Sequence, residues 1–164
     1  MGSRTSKPVS PAEESPGKIA DAQNAFFPIV AVGASAGGLE AYTEFFHALP
    51  VDTGMAFVLV QHLDPSHHSL LAEILSKATR MPVDEVKSGT RIRPNRVYVI
   101  PPDAFMAIEE CAFVLTPRSK EPGQHLSVNF FMRSLAAERK SVAIGVVLSG
   151  TGADGTLAAR GASS

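Results

Sequence analysis

Apolar residues in this chain arrive as short unbroken runs set between stretches of helical spacing. Residues 29–32 (Ile-Val-Ala-Val) and 56–60 (Ala-Phe-Val-Leu-Val) contain no polar position, as expected of strands covered on both faces of a parallel sheet. A third such run, 142–148, closes the strand predicted over 141–148. A helix-like stretch, 39–49, follows the first run, and Leu70, Leu71, Ile74, Leu75 and Ala78 recur at helical spacing after the second. Phe130, Phe131, Ser134, Leu135 and Ala137 predict a helix over 129–140, ahead of the last run. A β-α-β-α opening of this kind predicts a parallel sheet with right-handed crossovers.

Between residues 82 and 116 the pattern changes. Two β-type runs, 96–100 and 113–116, stand among Pro94-Asn95, Pro101-Pro102 and Glu109-Glu110, which suits hairpins or edge strands. The expected fold is therefore α/β, a doubly wound and mostly parallel sheet with a β-hairpin excursion, in three α/β/α layers. Residues 1–26 carry Pro8, Pro11 and Pro16 among Ser, Lys, Glu and Gly, and read as a disordered leader ahead of one domain over 27–164.

Composition narrows the function classes. At 164 residues, 45% hydrophobic and 19% charged, the chain can bury an ordinary core. A net charge of -1 with dispersed basic residues gives no electrostatic argument for nucleic acid. No apolar run approaches the roughly 18 residues needed to span a bilayer, and the N-terminus lacks the apolar stretch of a secretory signal. The expectation is a cytoplasmic protein without direct membrane insertion. The single cysteine, Cys111, excludes an intrachain disulfide and is expected to be a small core hydrophobe.

The chemistry gathers where the apolar runs stop. Ser35 lies within Gly33-Ala34-Ser35-Ala36-Gly37, between a strand and a helix, which is the pattern of a nucleophile elbow. The glycines do not make a P-loop, because Leu39 and Glu40 stand where Lys and Ser or Thr are needed. A dinucleotide fingerprint fails at its second glycine, which is Ser35, although Asp52 lies near the distance of a ribose partner. After the second run come His62, Asp64, His67 and His68, a dense set of potential metal ligands whose spacing matches no zincin pattern; no metal is expected. His47 and His125 read as surface residues. After the last run, Asp154 sits in the glycine-rich stretch 149–155. A serine needs a base and the base an orienting carboxylate, and Ser35, His62 and Asp154 can fill these roles in an order unlike that of α/β-hydrolases.

Residues 32–38 (Val-Gly-Ala-Ser-Ala-Gly-Gly), Gln61-His62, residues 98–102 (Tyr-Val-Ile-Pro-Pro) and residues 148–155 (Leu-Ser-Gly-Thr-Gly-Ala-Asp-Gly) together resemble the catalytic domain of the chemotaxis protein-glutamate methylesterases, the CheB family. The resemblance implies hydrolysis of glutamyl methyl esters on the cytoplasmic helices of methylated chemoreceptors, with deamidation of receptor glutamines as a related activity. It implies Ser35 as nucleophile, His62 as general base and Asp154 as its orienting carboxylate, with backbone donors near Ala36 and at Thr151 for the oxyanion and no cofactor. Methyltransferase and sensor modules, fused or separate, are the implied companions. Two positions depart from the family: Ala36 replaces a common hydroxyl residue, and Thr151 a common methionine. Family domains continue past this C-terminus and often follow a receiver domain, so an incomplete catalytic domain without a receiver is expected. The alternative is a non-catalytic receptor-binding module or an inactive fragment of a larger protein.

Overall fold

A computed structural model describes residues 27–34, 38–61, 70–102, 104–117 and 127–149. Strand β1 (Ile29–Ala34) leads to helix α1 (Leu39–His47), β2 (Ala56–Gln61), α2 (Leu71–Ala78), β3 (Val83–Glu85) and β4 (Arg96–Val99). The hairpin strands β5 (Ala104–Glu109) and β6 (Ala112–Pro117) follow, then α3 (Ser127–Arg139), a 3-10 turn (Lys140–Val142) and β7 (Ala143–Ser149). Five strands form one sheet in the order β3-β4-β2-β1-β7, with every pair parallel, and β5 and β6 pair antiparallel apart from it.

The period of two in the strands builds both layers. Ile29, Ala31, Val58, Val60 and Tyr98 face α3 and the hairpin, packing with Phe113, Phe131 and Leu135. Val30, Val32, Phe57, Leu59, Val97 and Val99 face the other way, against Tyr42 and Phe46 of α1 and Leu71 and Leu75 of α2. Phe46 and Phe57 meet edge to face with ring centroids 5.5 Å apart, so α1 is keyed to β2 by ring geometry as well as burial. The doubly wound, mostly parallel α/β fold with a separate hairpin is the one expected.

Two local expectations need correction. Arg96–Val99 is neither hairpin nor edge: β4 lies inside the parallel sheet, between β2 and β3, with Val97, Tyr98 and Val99 buried. Its flanking Pro94-Asn95 and Pro101-Pro102 end the strand without excluding it from the ladder, because they lie outside the paired residues. Cys111 is not a core residue. It is half-buried in the two-residue turn between β5 and β6, where Glu110 and Cys111 have φ of 47° and 62°, the left-handed pair that a tight hairpin demands.

Arg139, at the end of α3, joins three parts of the chain. Its guanidinium donates to the Phe27 carbonyl at 3.0 Å and to the Cys111 sulfur at 3.0 Å, and lies 5.4 Å from the centroid of the Phe27 ring. The hairpin is tied to the same helix higher up, where Ile108 N–H donates to Ser134 Oγ at 2.9 Å. A lysine cannot reproduce the planar fork at Arg139. Arg139→Lys is expected to cost about 1.5–3 kcal/mol, read as a lower denaturant midpoint at constant slope.

Close approach between α3 and β1 depends on Gly33. A Cβ built there would stand 2.7 Å from Val128 Cγ1, and Val128 is a buried, β-branched side chain with little freedom to withdraw. Gly33→Ala is expected to destabilise by about 1–3 kcal/mol, and Gly33→Ala with Val128→Ala to regain part of that loss. Thermal unfolding of the two variants checks it.

Candidate active site

Three apolar strands end side by side at the carboxyl edge of the sheet. Ala34, the last residue of β1, is the register partner of Gln61 at the end of β2 and of Ser149 at the end of β7. Ligands in open α/β sheets bind outside the carboxyl ends of the strands, where the winding direction reverses, and β1 stands between its first neighbour in sequence and its last. Ser35 directly follows Ala34, His62 directly follows Gln61, and Asp154 comes five residues after Ser149. Ser35, Ala36, His62, Thr151 and Asp154 themselves lie outside the described residues, as do Asp64, His67, His68 and His125. His47 is exposed at the end of α1, as expected.

What surrounds these strand ends is polar chemistry set in a tightly packed frame. Gln61 is 8% exposed, and Ser127 and Asn129, in the first turn of α3, are buried. That turn sits against β1, since Val128 is the residue that crowds Gly33. Met132, one turn along α3, places its Cε 3.7 Å from the Cβ positions that Gly33 and Gly145 lack, so glycines on adjacent strands make room for one side chain. Gly33 therefore serves helix packing rather than a strained backbone. On the other face, α1 starts at Gly38, which has no side chain to cap its first turn. Among the described residues no group of three His, Cys, Asp or Glu could hold a metal ion, and no helix is long and apolar enough to cross a membrane.

The family model described as CheB methylesterase matches residues 30–162 of this sequence. The chain belongs to the CheB methylesterase family. A protein-glutamate methylesterase/protein-glutamine glutaminase of Photorhabdus laumondii subsp. laumondii is 34% identical over 131 residues, covering 77% of this chain and 37% of the relative. A protein of that description from Syntrophus aciditrophicus is 32% identical over 152 residues, 91% of this chain and 42% of the relative. The crystal structure of the Thermotoga maritima CheB methylesterase catalytic domain superposes with a TM-score of 0.74 at 28% identity, covering 84% of this chain and 75% of that one. The chain thus spans about two fifths of the length of these curated relatives and three quarters of the solved catalytic domain.

Within this CheB methylesterase fold, one side chain that sequence reasoning passed over stands directly under the strand ends. Tyr42 of α1 is fully buried, and its hydroxyl lies 3.3 Å from the Val60 carbonyl and 3.4 Å from the Val32 carbonyl. The signal available in the sequence was only a tyrosine one turn before Phe46 on an apolar helix face, which reads as core. Burial pushes the Tyr42 phenol far above its ordinary value, opposed in part by a hydrogen bond from the Ala34 backbone. Tyr98 shifts in the same direction, again chiefly through burial. The native state therefore keeps protons that the unfolded chain releases near pH 10, so this stability is intact below about pH 10 and is lost as the pH climbs beyond it. Tyr42→Phe is expected to flatten the alkaline fall in stability by up to about 1.4 kcal/mol per pH unit, measured by denaturant unfolding between pH 8 and 11.

Proposed function

We propose that this chain carries the catalytic centre of a protein-glutamate methylesterase that acts through a serine nucleophile. The observation that carries the reading is the register of Ala34 with Gln61 and Ser149, because it starts the segments bearing Ser35, His62 and Asp154 from neighbouring points on one sheet edge. The family match and the relatives' description as methylesterase and glutaminase support the reaction.

In this reading His62 takes the proton of the Ser35 hydroxyl as the oxygen attacks the ester carbonyl, and Asp154 fixes the imidazole tautomer and stabilises its charged form. The tetrahedral oxyanion is met by N–H groups near Ala36 and at Thr151. Collapse of the intermediate breaks the bond to the methoxy group, which leaves as methanol with the proton from His62. Water then gives His62 a proton as it attacks the acyl-serine, and breaking of the bond to Ser35 Oγ frees the glutamate while His62 returns the proton to that oxygen. An amide in place of the ester releases ammonia by the same steps, which is the glutaminase half of the relatives' name. Every atom comes from the substrate, Ser35 or water, so the scheme calls for no cofactor. The substrates we assign are the cytoplasmic helices of methylated chemoreceptors, with methyltransferase and sensor modules as partners in the same signalling, which places the reaction in the cytoplasm.

The test is labelling of the full chain with a fluorophosphonate, the adduct being located by mass spectrometry. An adduct on Ser35 that His62→Ala suppresses is expected. In methanol release from a methylated receptor fragment, Ser35→Ala is expected to lose about 10⁶-fold and Asp154→Asn about 10⁴-fold. Wild-type turnover in either variant, or no adduct on the wild-type chain, overturns the reading.

A further inference from the structure

We propose that Tyr42 is a positioning residue for the nucleophile, its hydroxyl tying together the ends of the strands that lead to Ser35 and His62. This rests on the serine esterase reading above. The main-chain N–H of Tyr42 donates to the Gly38 carbonyl at 2.9 Å, closing the first turn of α1 just after residues 35–37. Its side chain runs back to the strands just before them. There the hydroxyl is shared between the carbonyls of Val60 and Val32, at 3.3 and 3.4 Å. The main chain of the residue thus bonds Gly38, and its hydroxyl meets the ends of β1 and β2.

The need for such a clamp comes from the ladder itself. Pairing of β1 with β7 shifts register between Gly33 and Ala34: Gly33 partners Val147, and Ala34 partners Ser149. A bulge of this kind disrupts the ladder locally and leaves a residue unpaired. The residue skipped is Leu148 of β7, so the β1–β7 ladder is irregular where β1 ends, and the Tyr42 hydroxyl bridges β1 to its regularly paired neighbour, β2. A nucleophile misplaced by a fraction of an ångström loses rate without losing binding, because the error is felt at the reacting atoms and not in the contacts that hold the substrate. Tyr42 is fully buried and does this work through the strands, which separates it from the catalytic residues.

Tyr42→Phe tests the proposal, since it keeps the ring and removes only the hydroxyl. Tyr98→Phe is its control: that hydroxyl is also buried, but it bonds the Arg93 N–H at 2.9 Å in a loop far along the chain from the nucleophile segment. Three quantities are read on the full chain: kcat and KM for methanol release, the rate of fluorophosphonate labelling at Ser35, and amide hydrogen exchange at Ala34. The expected result for Tyr42→Phe is a fall in kcat and in labelling rate of about tenfold at unchanged KM, with exchange at Ala34 about tenfold faster. Tyr98→Phe is expected to lower the unfolding temperature by a similar amount and leave kcat and Ala34 exchange within twofold of wild type. If Tyr42→Phe keeps kcat and labelling within twofold, or if Ala34 exchange does not quicken, the proposal is overturned while the esterase reading stands. A wild-type chain that takes no label at Ser35 marks failure of the esterase reading instead.

Discussion

The level ending of three parallel strands is the constraint on which the rest of this fold depends. Strands about 4.8 Å apart bring successive chain segments together only if they stop at the same height, and a shift of one residue in a strand would also turn its side chains to the opposite face. Here both faces of the sheet are apolar, so a slip exchanges one set of buried residues for another rather than exposing it. Shape must then decide the register. Gly33 and Gly145 on adjacent strands leave room for Met132, and Gly33 alone leaves room for Val128. Moving β1 by one residue would put Val32 or Ala34 under α3, where there is no space for a Cβ.

This explains which parts of the fold were legible in the sequence. Runs such as residues 29–32 and 56–60 announce buried strands because nothing polar interrupts them, and the helices between them show the 3.6-residue period. The hairpin was harder. β5 reads Ala-Phe-Met-Ala-Ile-Glu, and methionine and alanine carry little strand preference; only Met106 and Ile108 are buried, through packing against α3 and β6 that is remote in sequence. β4 was misplaced because its prolines and Asn95 look like hairpin punctuation, whereas its position is set by its pairing with β2. Cys111 looked like a small apolar residue and turned out to occupy a left-handed turn beside a buried guanidinium.

The site divides along the same line. Its proposed chemical groups stand out because they follow apolar strands. Its supports do not. Tyr42 and Gly33 look like one more core aromatic and one more flexible glycine, and each gains its meaning from a neighbour distant in sequence or from the strand ends. Local patterning tells which residues could react, while their relative placement is a property of the sheet.

Strand order also bears on how a serine, a histidine and an aspartate could cooperate here. Ser35 follows the middle strand of three, His62 follows one neighbour, and Asp154 belongs to the segment after the other. A histidine that must touch both serine and carboxylate therefore starts about 10 Å, two strand spacings, from the end of β7. In the proposed triad the carboxylate therefore has the widest gap to cover. The sequence gives it the length to do so: Asp154 is the fifth residue after Ser149, a reach of up to roughly 17 Å when extended. Gly150 and Gly152 fall within this span, and glycine admits backbone conformations that other residues do not. On this argument the length of the glycine-rich segment is as much a part of the proposed catalytic apparatus as its aspartate, because a shorter segment would strand the carboxylate on the far side of the nucleophile.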